Sequence, residues 1–246
     1  MTKLSVNINK IATLRNARGG EFPSVTEAAI KLQEFGAQGI TIHPRPDERH
    51  ITRKDVYDLK PLVKTEFNIE GNPHRDFIDM VLNVKPEQVT LVPDADDAIT
   101  SNAGWNCKKH QDFLKEIISE FKNAGIRTSV FLDPNPEMVE FAAKTGTDRI
   151  ELYTEAYAKD YADSSTSLRM TKELAIKPYF ETAQKCVDFN LGVNAGHDLS
   201  LENLKYFADE IPNLLEVSIG HALISEALYM GLENTVQAYL KRLAKW

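Results

Sequence analysis

His43 closes the β-branched run GITI and is followed at once by PRPDERH, which supplies Arg45, Arg49 and His50; His197 follows VNAG, and His221 follows SIG. An imidazole titrates near pH ~6.5, so it takes or gives a proton at neutral pH with little driving force wasted. Glu70 ends the run FNIE, and a carboxylate there becomes a base near neutrality only where burial lifts its pKa. Together these groups suit a reaction made of repeated proton transfers. Two neighbouring features suit phosphate. Arg45, Arg49 and His50 form one cationic cluster, and the segment IGHALISEAL opens a helix directly after a β-run. Gly220 and His221 therefore stand where free backbone N–H groups and the positive end of a helix dipole meet an anion. Acid and base groups flanked by two anion sites imply two small phosphorylated substrates, or one bisphosphate. The same side chains admit two other readings. One is a metal-dependent aldolase or epimerase with His43, Glu70, His197 and His221 as ligands; the other is a protein that merely binds a phosphorylated metabolite.

Residues this far apart in the chain meet only if a scaffold gathers them. Short β-rich runs at 4–8, 39–43, 67–70, 88–92, 127–132, 149–153, 191–195 and 214–219 alternate with amphipathic segments of helical length. Ser24 with Glu27 reads as a capping box for one helix, and Gly36 as its stop. Alternating β/α units without a dinucleotide fingerprint favour closure, because a ring removes the two exposed edges of an open sheet. The expected fold is a single (β/α)8 TIM barrel over residues 1–246 with extra helices. In such a barrel the strand ends and the loops after them form the active face. They contribute Asn7 and Asn9 with Arg15 and Arg18 beyond them, then His43, Glu70, Asp133, Glu151 and Asn194, with His197 and His221 following. His74 and His110 lack such company and read as solvated surface residues. The connections DADDAITSNAGWNC and AYAKDYADSSTS exceed ordinary βα loops and suit lids. Leu232, Val236, Tyr239, Leu240 and Leu243 stand at helical spacing in the tail, which predicts a helix packed on the barrel wall or on a partner subunit, with ordinary core contact favoured.

Composition narrows the partners. A hydrophobic fraction of 42% is enough for a large core, and a formal net charge of −7 speaks against nucleic acid. Cys107 and Cys186 make neither a disulfide framework nor a zinc motif, and no window is long and apolar enough for a membrane span, so a reducing, cytoplasmic setting is expected.

The blocks VNINKIATLRNARGG, GITIHPRPDERHI, NIEG, LVPD, VNAGHDL and IGHALI, in this order across almost the whole chain, resemble pyridoxine 5′-phosphate synthases. The resemblance implies condensation of 3-amino-2-oxopropyl phosphate with 1-deoxy-D-xylulose 5-phosphate, without metal or organic cofactor, in a homo-octamer. It implies His43 and Glu70 as general bases and His197 as general acid, with Glu151 as a weaker auxiliary candidate. The aminoketone phosphate falls to Asn7, Arg18, position 198 and the Gly220–His221 backbone; the deoxyxylulose phosphate falls to Asn9, Lys10, Arg45, His50 and Thr100. This chain departs from the family pattern twice. Asn9-Lys10 stands where many members carry Asp-His, and Asp198 where Gly is frequent. Lys10 is expected to take over an imidazole's contact, and Asp198, whose carboxylate repels phosphate, to present only its backbone N–H.

Overall fold

The computed structural model describes residues 1–94, 103–163 and 171–244. Its strands are β1 (Lys3–Asn7), β2 (Gly39–Ile42), β3 (Glu66–Gly71), β4 (Gln88–Leu91), β5 (Arg127–Leu132), β6 (Arg149–Tyr153), β7 (Gly192–Gly196) and β8 (Leu214–Ile219). Each pairs in parallel with the next, and β8 pairs with β1, so the ring is closed. Closure leaves no edge strand exposed.

Around the ring run α1 (Asn9–Asn16), α2 (Val25–Glu34), α3 (Arg53–Leu59), α4 (Arg75–Val84), α5 (Gln111–Asn123), α6 (Pro136–Lys144), α7 (Glu155–Asp163), α8 (Lys172–Asp188), α9 (Leu204–Glu210), α10 (His221–Met230) and α11 (Leu232–Leu243). The signals that start them are local. Ser24 caps α2 by accepting from the Glu27 N–H, without the reciprocal bond expected of a box. The complete box lies instead at Thr52 and Asp55 on α3, where Asp55 also accepts from the Thr52 backbone. Asn135 with Pro136 opens α6. Three further expectations are corrected. Asn9 opens α1 rather than ending the first strand, with Arg15 in the same helix rather than in a loop, and much of AYAKDYADSSTS is the helix α7. His110 is half-buried, its ring edge-on to Trp105 at 5.4 Å. His74 is exposed, at the start of α4.

Alternation along each strand sorts the core into two regions. Leu4, Val6, Ile40, Ile42, Phe67, Ile69, Val89, Leu91, Val130, Ile150, Leu152 and Val217 are buried against the helices. The tail helix α11 joins that shell through Val236, Tyr239 and Leu243, which is ordinary core contact. The opposite face of the strands is largely polar below its rim. Ser5 meets Thr41 at 2.7 Å, Thr90 donates to Asn68 at 3.1 Å, Arg149 donates to Asn194 at 3.3 Å, and Lys3 and Arg127 pair with Glu66. Barrel interiors are ordinarily filled with Val, Ile and Leu; this one is cross-linked by hydrogen bonds and ion pairs. No helix among the described residues is long and apolar enough to cross a membrane.

Candidate active site

At the strand-end rim a cavity of about 540 Å³ is lined by Asn7, Asn9, Lys10, His43, Arg45, His50, Glu70, Val92, Phe131, Glu151, Tyr153, Glu155, His197, Asp198, Ser218, Gly220 and His221. The described residues expected to act in catalysis or substrate binding are among them except Arg18, which is exposed; Arg15, Arg49 and Asn194, also expected at the rim, stand outside this lining. Thr100 falls outside the described residues, as does part of the long connection after β4. Asp133 is exposed and also stands outside the cavity.

One wall is built by β1, β2 and β3. Asn7 accepts from the Asn9 N–H at 3.1 Å, and Asn9 accepts from the His43 N–H at 3.0 Å, so the turn into α1 holds the end of β2. Asn7 Nδ2 also reaches Glu70 Oε2 at 3.4 Å, and His43 Nδ1 lies 3.8 Å from the same oxygen. Burial holds the His43 imidazole well below its ordinary pKa, with Arg45, His50 and His197 pushing the same way, so it is neutral at pH 7. Burial lifts Glu70 to about 7, against the pull of His197. Glu151, on the floor and within 3.4 Å of Thr90 Oγ1, is raised well above the carboxylate range by burial and by Glu70 and Glu216.

The opposite wall carries His197, held at φ +88° in the left-handed region. The preceding Gly196 allows this close packing, because a Cβ there would fall 2.6 Å from the Ser218 carbonyl and 2.8 Å from Glu151 Oε1. His197 Nδ1 meets Asp198 Oδ2 at 2.6 Å, and its ring stands edge-on to Tyr153 at 5.2 Å. Burial works against its charge, but the Asp198 hydrogen bond and carboxylate, with Glu70 and Glu155, outweigh this and raise its pKa. Asp198 corrects the expectation drawn from its neighbourhood: its backbone N–H donates to Thr154 Oγ1 at 3.1 Å, and its carboxylate serves His197.

The cationic cluster is also less free than the sequence implies. Buried Arg45 pairs with Asp94 at 2.7 Å, and Arg49 with Asp47 at 2.7 Å. His50 Nδ1 accepts from the Ile51 N–H, and burial beside Arg45 and Lys10 lowers its pKa to about 4. It is a neutral ring with its proton on Nε2. At the end of β8, Gly220 lies against Asn7, where a Cβ would be 3.1 Å from the Asn7 Cβ, and α10 begins at His221. The helix start expected for an anion is therefore on the cavity wall.

Val92, Phe131 and Tyr153 form a separate apolar cluster on the remaining side. Sequence reasoning missed Phe131, Tyr153, Ser218, Asp94 and Glu155. The first three stand on the same strand faces as the charged interior residues, and the period-two alternation of RTSVFL, RIELY and LLEVSI is the signal that marks them. Among the described residues no group of three or more His, Cys, Asp or Glu side chains is placed to hold a metal ion.

Residues 4–245 match the family described as pyridoxal phosphate biosynthesis protein PdxJ. The chain belongs to the pyridoxine 5′-phosphate synthase family. Members similar to it include pyridoxine 5′-phosphate synthase of Christiangramia forsetii, 63% identical over 99% of this chain and 100% of that protein. The Bacteroides fragilis synthase is 61% identical over 97% of this chain and 98% of its own length. Among solved structures, thiamine phosphate pyrophosphorylase from Pyrococcus furiosus (TM-score 0.62, 12% identity, 98% of this chain and 95% of that one) shares the fold. So does phosphoribosylanthranilate isomerase from Thermotoga maritima (TM-score 0.58, 15% identity, 99% and 98%). At such identities the likeness speaks for the barrel alone. Synthase family membership instead rests on matches across nearly the whole chain.

Proposed function

We propose that this chain condenses 3-amino-2-oxopropyl phosphate with 1-deoxy-D-xylulose 5-phosphate to give pyridoxine 5′-phosphate, inorganic phosphate and water. The observation that carries the reading is the split of protonation states in one cavity: a neutral imidazole at His43 and a carboxyl near 7 at Glu70 face an imidazole biased toward its cation at His197. Groups whose environments push their pKa values apart are suited to act as base and acid in one site.

In this reading the amine adds to the deoxyxylulose ketone, and loss of water gives an imine. Proton removal by Glu70 and His43 and proton delivery by His197 then drive further dehydration, phosphate loss and ring closure. The overall change is redox-neutral. Glu151, which burial and the neighbouring Glu70 and Glu216 bias toward its protonated form, donates a hydrogen bond to an oxygen that gains charge. The start of α10 with Asn7 receives one phosphate; Lys10, Arg45 and the Nε2–H of His50 receive the other. The Val92, Phe131 and Tyr153 cluster offers the planar product an apolar wall. Arg18 and Thr100 remain candidate phosphate ligands, and an octamer the candidate assembly.

Mixing both substrates with the protein and following the pyridine chromophore tests the proposal. Product appears at a rate proportional to protein; no product at any substrate concentration leaves a binding protein, and activity abolished by chelation and restored by a metal ion selects the metal-dependent alternative.

A further inference from the structure

The structure assigns Asp198 as the positioning residue of His197, an Asp–His pair that fixes which imidazole nitrogen faces the substrates and keeps that nitrogen protonated. The inference rests on the proton-donor role proposed for His197 and deepens it.

The geometry is over-determined on the Asp198 side. Its N–H donates to Thr154 Oγ1 at 3.1 Å, while Thr154 donates to the Gly196 carbonyl at 2.6 Å, so one hydroxyl ties together both sides of His197. The Asp198 carbonyl accepts from Asn203 Nδ2 at 3.2 Å, and Asn203 Oδ1 accepts from the Ser200 N–H at 2.9 Å. Asn203 is itself buried, with its carbonyl accepting from Tyr157 at 2.8 Å. The carboxylate thus projects from a backbone clamped on two sides, and it meets Nδ1 at 2.6 Å. With Nδ1 so engaged, Nε2 is the nitrogen left to a ligand.

The left-handed φ of +88° gives this arrangement a local cost. A glycine at 198 would relieve none of it, because the strain lies at 197. What the carboxylate adds is orientation and charge, as a buried carboxylate does for the imidazole of a hydrolase triad. The other charged or titratable groups facing His197 are Glu70 from β3, Glu155 from α7, His43 from β2 and Tyr153 from β6. Among the described residues, only Asp198 is in direct hydrogen-bond contact with the ring. In a site where Glu70 changes charge during turnover, a constant carboxylate at hydrogen-bond distance keeps the donor protonated when Glu70 is neutral.

The test uses the full chain with nitrogen-15 histidine, titrated by NMR, in wild type and in Asp198→Asn, which keeps shape and removes charge. In the wild type, His197 titrates above 6.5 with Nδ1 protonated. In Asp198→Asn its pKa falls by about one unit or more, and the alkaline limb of kcat moves down with it while KM for either substrate changes by no more than about twofold. Unchanged titration in the variant, or a wild-type pKa at or below 6.5, overturns the pairing whether or not the chain makes product. A shifted pKa with an unmoved alkaline limb leaves the pair in place and removes His197 as donor. Asp198→Ser gives the same readings should the amide variant fold poorly.

Discussion

At the strand-start end of the barrel interior, Glu66 meets Lys3 at 2.8 Å and also pairs with Arg127, while Glu216 faces Arg149 at 3.7 Å. At the strand-end rim, Glu70 and Glu151 face imidazole, amide and hydroxyl groups, and among the described residues neither has a Lys or Arg ion partner. Burial is similar in the two regions, so the difference lies in the counter-charge. Glu216 is raised by burial but drawn back by Arg149, Arg127 and Lys3, whereas Glu151 stands well above the carboxylate range. A paired buried carboxylate is structural; one left without a cation holds its proton near neutrality and can exchange it.

The largest effect expected from this contrast is on turnover. Glu70→Gln, His43→Gln and His197→Gln should each lower kcat by about 10² to 10⁴, with the circular dichroism spectrum unchanged; a rate near wild type removes that residue from the chemistry. Next comes a reversal at the other end. Arg127→Met leaves Glu66 short of a cation in the barrel base and should destabilise the fold by on the order of 3 kcal/mol in urea unfolding, with kcat retained. Loss of kcat without loss of stability would erase the division between the two ends.

A third prediction concerns pH. Glu70 must lose its proton and His197 must keep one, so kcat should rise through about 7 and fall at higher pH as His197 deprotonates; His43, neutral throughout, adds no limb. A profile flat across the neutral range defeats the assignment. Stability should move oppositely at Glu151. Its folded pKa lies above the unfolded value of 4.5, so its destabilising effect is absent below pH 4.5 and grows as pH rises toward the folded value. Glu151→Gln should therefore raise Tm at pH 8 and leave it unchanged near pH 4, by roughly 2–4 °C per kcal/mol released. The smallest effect is on binding: Arg45→Lys or His50→Gln should raise the KM for deoxyxylulose phosphate about tenfold, one good hydrogen bond's worth. An unchanged KM removes these side chains from the second anion site.

Much of this was legible in the chain. Strand positions could be read to within a residue or two because each β-run is bounded by turn residues and followed by an amphipathic helix, and ring closure then obliges strand ends to share one rim. His43, Glu70, His197 and His221 were found that way. The capping signals misled by a single bond, since Ser24 and Thr52 carry similar local patterns and only side-chain geometry separates half a box from a whole one. The polar interior was written in the alternation of KLSVN and RIELY, but period two says only that two faces differ, not which of them points inward.

What the sequence determined by itself is the set of eight strand–helix units, their order and the reactive residue types at their ends, because these depend on local propensity and short-range capping. What only the tertiary structure decided is the state of those residues: that Arg45 is committed to Asp94, that Asp198 turns its carboxylate to His197 rather than its N–H to a ligand, and that Glu70 sits near 7. Ionisation depends on desolvation and on charges brought in from distant strands, and those distances do not exist until the ring has closed.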